Sequence, residues 1–510
     1  MNREIASTLD ELERKLHELE RTLTQIGSRE VDSRAIGSRA IGSREAGSRE
    51  AGSRAPAGGD GAPDQGTGEA SRLVDEAVET QPEAGQPPRG AAPTPRARGL
   101  QGAASGYGKP PTAAELLRFR ERLERTAREL THDYDELLGR LSTVEPAPAG
   151  PAISFARGAP SLDIIDVAGL RAAAARAFDS DPAGTTAYGT SIGYPRLRAW
   201  IADRHGVEPE RVLVTNGSMQ ADAFLFELLV RPGDEVVVER PTYDRTLLAL
   251  HNRGARLRAI DLQPDGIDTE ELARLLGDRR GARPKLAHII PNFQNPAGRT
   301  LSLERREALL ALAAQYGFTV FEDDPYVALR FSGESLPTML SMDPDRVVYA
   351  SSFSKTVCPG VRVGYLVGPA DVIGEIAKLA TNTYISPSMV AQSIVYEFCA
   401  SGAIERSIET VRGALAERAR TLAEALRREL PEADFGVPEG GYFMWVALPV
   451  GTDVSALERA AGELGVSFVK GTDFMLEGGE NALRLAYAGV TPSQIDEGVG
   501  RLAAAYRSLA

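Results

Sequence analysis

The chain has 510 residues, more than one compact core normally holds, so two or three domains and a large buried interior are expected. Its 58 Lys and Arg against 71 Asp and Glu leave a formal charge of -13, which repels phosphate backbones and anionic membrane surfaces and argues against nucleic acid and membrane partners. Two cysteines, Cys358 and Cys399, are too few for a disulfide framework or a cysteine-rich zinc site, so no metal is implied.

The N-terminus, "MNREIASTLDELERKL", is charged from its third residue and has no apolar signal-peptide core, and nowhere does an apolar run reach the roughly 18 residues of a membrane span. A cytoplasmic protein is expected. Within residues 1–27, Ile5, Leu9, Leu12, Leu16, Leu19, Leu23 and Ile26 alternate spacings of four and three. This heptad seam suits either a short coiled coil or a lone amphipathic helix packed on the body of the protein. A pentapeptide follows six times from Ile26 to Ala55, "IGSRE VDSRA IGSRA IGSRE AGSRE AGSRA", whose period matches neither helix nor strand. With the Gly-, Pro- and Ala-rich stretch after it, residues 28–111 are expected to form a disordered linker. Over 112–150, "TAAE" makes a capping box that opens an amphipathic helix with Leu116, Phe119, Leu123, Leu130, Leu137 and Leu141 along one side, followed by a connector.

From Ile153 the texture becomes alternating strand and helix. "RVLVTNG", "DEVVVERP", "LAHIIPN", "FTVFEDDP" and "RVVYASS" are short β-rich runs, with helical stretches such as "LSLERREALLALAAQYG" between the later ones. This pattern predicts an α/β fold with a mostly parallel sheet covered by helices on both faces. In such sheets ligands sit beyond the C-terminal ends of the strands.

The residues just past each strand form a coherent set. "TNGSMQ" offers Gly217, Ser218 and Met219 ahead of a helix, where free N–H groups suit a phosphate, although a glycine turn before a helix is also the commonest strand-to-helix connection. Tyr243 in "ERPTYDR" is placed to cover a planar ring, or simply to pack in the core. Asn295 lies in the rigid loop "PNFQNPAGRT", from which its amide can donate to a phenolate oxygen; an ordinary turn is the plainer alternative. "FEDDPY" ends an apolar strand in acids, so Asp323 demands a cation such as a protonated ring nitrogen unless it caps a helix, and Tyr326 is three residues on. In "SSFSKTVCPGVRVGY", Lys355 stands among the hydroxyls of Ser352 and Ser354 with Arg362 seven residues on. A lysine beside positive charge and out of bulk water loses proton affinity, as an amine must to form a Schiff base. Ser352 and Arg362 suit an anionic group. Together these residues describe a planar phosphorylated aldehyde with a ring nitrogen, pyridoxal 5′-phosphate.

On "SFSKTVCPGVRVGY", "QNPAG" and "EDDPY", the chain from about Ile153 onward resembles fold type I pyridoxal-phosphate enzymes of the class I/II aminotransferase family, in the branch of aminoadipate and kynurenine aminotransferases and MocR-type regulators. The resemblance implies a PLP-dependent transferase fold over 151–510. Its large part, about 185–400, carries a mostly parallel seven-stranded sheet, and its smaller α/β part comprises about 151–184 and 401–510. It implies Lys355 as the Schiff-base lysine, Asp323 as partner of the pyridine nitrogen, Asn295 and Tyr326 as donors to the phenolic oxygen, and Tyr243 as the stacking aromatic. Gly217, Ser218, Met219, Ser352, Ser354 and Arg362 fall around the phosphate. "AYGTSIGYPRLRAW" resembles the segment whose tyrosine, here Tyr188, reaches the phosphate of a partner subunit, which implies a homodimer with shared sites. "ENALRLAYAG" resembles the motif whose arginine, here Arg484, holds the substrate α-carboxylate, with Asn295 beside it.

The chain departs from the family in two segments that border the substrate in its relatives: "ARGAPSLD" stands where the family has a "GGxP" loop, and Lys470-Gly471 where it has "PG". The expected reaction is transfer of an amino group from an amino acid to a 2-oxo acid. Cofactor motifs alone leave a racemase, lyase or decarboxylase open, and a ligand-sensing regulator is the alternative of another class. No helix-turn-helix pattern precedes the enzyme-like domain, and the acidic charge opposes DNA binding.

Overall fold

The computed structural model describes residues 151–278 and 283–509. The heptads, the pentapeptide repeat and the helix expected after Pro111 lie outside the described residues. In chain order the strands are β1 Ile153–Ser154, β2 Val212–Thr215, β3 Glu235–Arg240, β4 Arg256–Gln263, β5 Gly266–Ile267, β6 Pro284–Ile289, β7 Thr319–Asp323, β8 Val347–Ser352, β9 Gly364–Val367, β10 Asp434–Phe435, β11 Phe443–Ala447, β12 Val466–Ser467, β13 Val469–Lys470 and β14 Ala482–Ala486.

The large sheet runs β2-β9-β8-β7-β6-β3-β4-β5. The ladders from β4 through β3, β6 and β7 to β8 are parallel, whereas β9 lies antiparallel to both β2 and β8. The sheet therefore has eight strands, not the seven expected from the sequence. The additional one, β5, is a two-residue strand folded back on β4, too short to form an apolar run of its own.

Strand residues alternate between two cores. Val237, Ala287, Val320 and Val347 face a cluster with helices Pro195–His205, Leu303–Tyr316 and Met389–Ala400, while Val236, Leu286, Phe321 and Val348 face helices Ser218–Leu229 and Ala370–Tyr384. Burial on both faces is why these strands read as unbroken apolar runs. Local signals bound the helices between them: the Ser302 side chain accepts from Arg305 N at the start of Leu303–Tyr316, and Gly317, at φ 75°, ends that helix.

A smaller antiparallel sheet, β10-β11-β14-β13, packs beneath helices Ala403–Glu429, Val454–Glu463 and Pro492–Arg507, with Leu422, Leu426, Leu485 and Val499 in its core. Each such side chain stabilises the fold by about 1.5–3 kcal/mol on burial. β1 pairs in parallel with β12, so the N-terminal strand of the described region belongs to this part. Helix Val167–Ser180 does not follow it, although the sequence expectation grouped residues up to 184 together. It packs on Met389–Ala400, where Ser180 Oγ donates to Glu397 Oε1 at 2.9 Å and Arg176 Nη2 to the Glu397 carbonyl at 3.2 Å. Buried Arg418 pins the loop between: its Nη1 donates to Ser161 Oγ (2.9 Å) and the Ala488 carbonyl (2.6 Å), and its Nη2 to Asp163 Oδ2 (2.6 Å). That clamp fixes the backbone of the preceding residues, Ala156 to Gly158, which line the site.

Candidate active site

The C-terminal ends of β6, β7 and β8 open on a cavity of about 440 Å³, closed on the other side by Phe443 of β11 and Arg484 of β14. At one end β2 turns through Gly217 into helix Ser218–Leu229. Gly217 has φ 87°, and a Cβ there would strike the Arg362 guanidinium; a Cβ on Gly364 would strike the backbone nitrogen of Ser218. These two positions require glycine for the close approach of β9, the helix start and Arg362. Arg362 itself is held at φ 49°, a left-handed conformation costing about 1–2 kcal/mol in a residue with a Cβ. Its Nη1 donates to Ser354 Oγ at 3.4 Å, and Ser354 N donates to Ser352 Oγ at 3.1 Å. A helix N-terminus, two hydroxyls and a guanidinium facing the cavity form an anion cup. Met219 lines this end, its sulfur 4.0 Å from the Tyr243 hydroxyl.

Lys355 follows β8. Its Nζ donates to the Gly158 carbonyl at 2.6 Å and stands 5.1 Å from the ring centre of Tyr442 and 5.7 Å from that of Tyr326. Burial first, then the neighbouring Arg484 and Arg362, lower its pKa from 10.5 to about 8. A substantial neutral fraction near physiological pH makes this amine a nucleophile.

Asp323, the last residue of β7, is buried. Its Oδ2 is 3.6 Å from His288 Nε2, and its Oδ1 has no partner. Asp324 turns away from the cavity, accepting from Asn292 Nδ2 at 2.8 Å. Tyr326 is buried against Phe443, ring edge to face at 5.7 Å. Tyr243 caps helix Asp244–Asn252, and burial, Asp244 and Asp323 push its hydroxyl up to about 12, so it stays neutral.

Arg484 Nη1 donates to Asn295 Oδ1 at 2.9 Å and Nη2 to the Ala156 carbonyl at 2.7 Å, with the guanidinium 4.4 Å over the Phe443 ring and 4.8 Å over Phe474. Arginine only donates, so the Asn295 oxygen faces it and the Asn295 amide N–H₂ is left to donate elsewhere.

The cavity thus gathers Ser218, Met219, Tyr243, Asn295, Asp323, Tyr326, Ser352, Ser354, Lys355, Arg362 and Arg484, with Gly217 at the turn behind them. Tyr188 is not among them: it is 90% exposed and outside this chain's own cavity. Sequence reasoning missed Asp222, the His288 contact to Asp323, and the Gly158 and Ala156 carbonyls. Asp222 was findable, because it lies four residues after Ser218 and so on the same helix face. The two carbonyls carry no residue-type signal. Among the described residues no group of three His, Cys, Asp or Glu could hold a metal ion, and no helix is long and apolar enough to cross a membrane.

A group carrying a phosphate, a protonated ring nitrogen and an aldehyde fits these residues. The anion cup meets the first, the unpartnered Asp323 Oδ1 the second and the Lys355 amine the third.

Comparison with known proteins agrees. A family model described as aminotransferase class I and II matches residues 151–502. A 2-aminoadipate transaminase of Thermus thermophilus is 34% identical over 363 residues, 70% of this chain and 90% of that one. Among solved structures, the α-aminoadipate aminotransferase of Thermus thermophilus complexed with N-(5′-phosphopyridoxyl)-L-leucine superposes with a TM-score of 0.67 at 34% identity, covering 70% of this chain and 92% of that one. The kynurenine aminotransferase of Pyrococcus horikoshii gives 0.68 at 32% identity, covering 74% and 94%.

Proposed function

The chain belongs to the aminotransferase class I and II family and is a pyridoxal-phosphate-dependent transaminase of amino acids and 2-oxo acids, and from that premise we propose how its residues divide the work. When bound, the cofactor supplies an electron sink that makes the substrate Cα–H acidic. Lys355 Nζ would hold the cofactor by its aldehyde, and the same amine, lining the cavity, would take up and return the substrate Cα proton. Asp323 keeps the ring nitrogen protonated. The Asn295 amide and the Tyr326 hydroxyl would donate to the ring oxygen, and Tyr243 would cover the ring face. The N–H groups after Gly217, with Ser218, Met219, Ser352, Ser354 and Arg362, hold the phosphate. Arg484 grips the substrate α-carboxylate with both terminal nitrogens, stiffened by the Phe443 and Phe474 ring faces.

The observation that carries this reading is the convergence of Lys355, Asp323 and Arg484 on one cavity from segments far apart in the chain. We further propose a homodimer in which Tyr188 serves the partner subunit's phosphate cup; its 90% exposure supports this. A cytoplasmic location goes with it, supported by the two unpaired cysteines, Cys358 and Cys399. The test is a panel of amino donors against 2-oxoglutarate and pyruvate, following cofactor absorbance and products. Transfer predicts equal amounts of new amino acid and new oxo acid. Release of ammonia or carbon dioxide, or inversion of the donor without oxo acid, would overturn it.

A further inference from the structure

Asp222 sits on helix Ser218–Leu229, one turn beyond the residue that opens the phosphate cup, and lines the same cavity as Asp323. It is 7% exposed, and its Oδ1 is buried with no partner, as is Oδ1 of Asp323. A carboxyl with a buried, partnerless oxygen is a poor choice for a packing position, since it costs folding free energy that an apolar side chain would not. The residues lining the cavity thus include two carboxylates, each with a buried oxygen that has no partner, whereas a pyridine edge offers a single N–H.

We infer that Asp222 is a second, proton-carrying carboxyl of the cofactor seat, a positioning residue whose ionisation sets how much negative charge faces the ring beside Asp323. The inference rests on the reading that Asp323 meets the ring nitrogen. Burial first, and the charge of Asp323 second, push the Asp222 carboxyl well above its ordinary range, so its protonated, neutral form is favoured. The other titratable neighbours do not compete for its proton. Tyr243, at the head of helix Asp244–Asn252, is neutral and is itself raised in part by Asp222. Helix Ala370–Tyr384 presents Tyr384 through the Phe224 ring, and β2 presents no titratable group. Tyr349 of β8 and Tyr365 of β9 pack against His205, tilted and edge-on respectively, on the opposite face of the sheet. His288 of β6 contacts Asp323, and the cations lining the cavity are Lys355 and Arg362 after β8, Arg245 of helix Asp244–Asn252 and Arg484 of β14.

The sign follows from electrostatics. Ionised Asp222 adds negative charge beside the cofactor and favours the protonated form of the lysine-bound chromophore; neutral Asp222 does not. Asp222→Asn is the same shape with the charge locked at zero. Optical pH titration of the purified holoenzyme should show wild type and Asp222→Asn superimposing at acid pH and parting as pH rises. The chromophore of the variant should deprotonate about one pH unit lower, a tenfold change in proton affinity. A second readout needs no turnover: the affinity of the apoenzyme for pyridoxal phosphate, measured by quenching of protein fluorescence, should vary less with pH in the variant. Asp222→Leu should titrate like Asp222→Asn if it folds; the asparagine variant decides the matter if it does not. Superimposable titrations of wild type and Asp222→Asn at every pH would overturn the role of Asp222. Asp323→Asn is the control: if it too leaves the chromophore unchanged, the reading of Asp323 fails; if only Asp222→Asn is silent, the inference about Asp222 fails alone.

Discussion

Arg484 Nη1 donates to Asn295 Oδ1 at 2.9 Å, a bond between residues 189 positions apart that joins β14 of the smaller sheet to the loop after β6 of the large one. The same bond holds the Asn295 amide and the Arg484 guanidinium against each other, so the cofactor and substrate roles proposed for them are mechanically linked.

Arg484→Lys keeps the charge and loses the fork that makes two parallel hydrogen bonds. Every amino acid and oxo acid substrate should bind more weakly by a similar factor, on the order of tenfold or more for a loss of about 1.5–3 kcal/mol. Steady-state kinetics across several donors check this, with cofactor content unchanged. A defect confined to one side-chain class would show that Arg484 reads the side chain instead.

Lys355 should be the residue labelled when borohydride reduces the yellow holoenzyme, as peptide mapping will show. Its amine titrates near 8, below the ordinary 10.5, because burial, Arg484 and Arg362 all disfavour the charged form. The neutral, reactive fraction therefore rises through one half near pH 8 and levels off about one pH unit above it. Capture of pyridoxal phosphate by the apoenzyme should follow that curve, and a midpoint near 10 would contradict the environment described.

Asp323→Asn should retain the cofactor through Lys355 and the phosphate cup while turnover falls by about a hundredfold or more, about 2.7 kcal/mol in the barrier, because an amide does not hold a full positive charge on the ring nitrogen. Near-normal turnover would show that the reaction does not depend on Asp323 at the ring nitrogen.

Tyr188→Phe and Lys355→Ala carry their defects in different places if the sites are shared. Each variant alone should be impaired, and refolding the two together should recover activity in mixed dimers, in which one of the two sites has both native residues. No recovery on mixing, with dimers present by light scattering, would place Tyr188 outside the partner's site.

The sequence by itself determined which loops converge on the candidate site. Gly217 to Met219, Tyr243, Asn295, Asp323, Lys355 and Arg362 stand out because each breaks, at a strand end, the apolar pattern that the strand requires, and an acid or a lysine in that setting needs a partner. The two-layered cover of the large sheet was legible for the same reason: strands buried on both faces must be apolar throughout. The tertiary structure alone decided the long-range pairings. The Arg484–Asn295 bond, the His288–Asp323 contact, the Gly158 carbonyl on Lys355 and the approach of Asp222 to Asp323 depend on how separate segments cross in space, and residue types within a local window do not encode that. Packing likewise decided that helix Val167–Ser180 joins the large part and that β5 adds an eighth strand, since a short edge strand and a helix with two possible neighbours gain their free energy from surfaces distant in the chain.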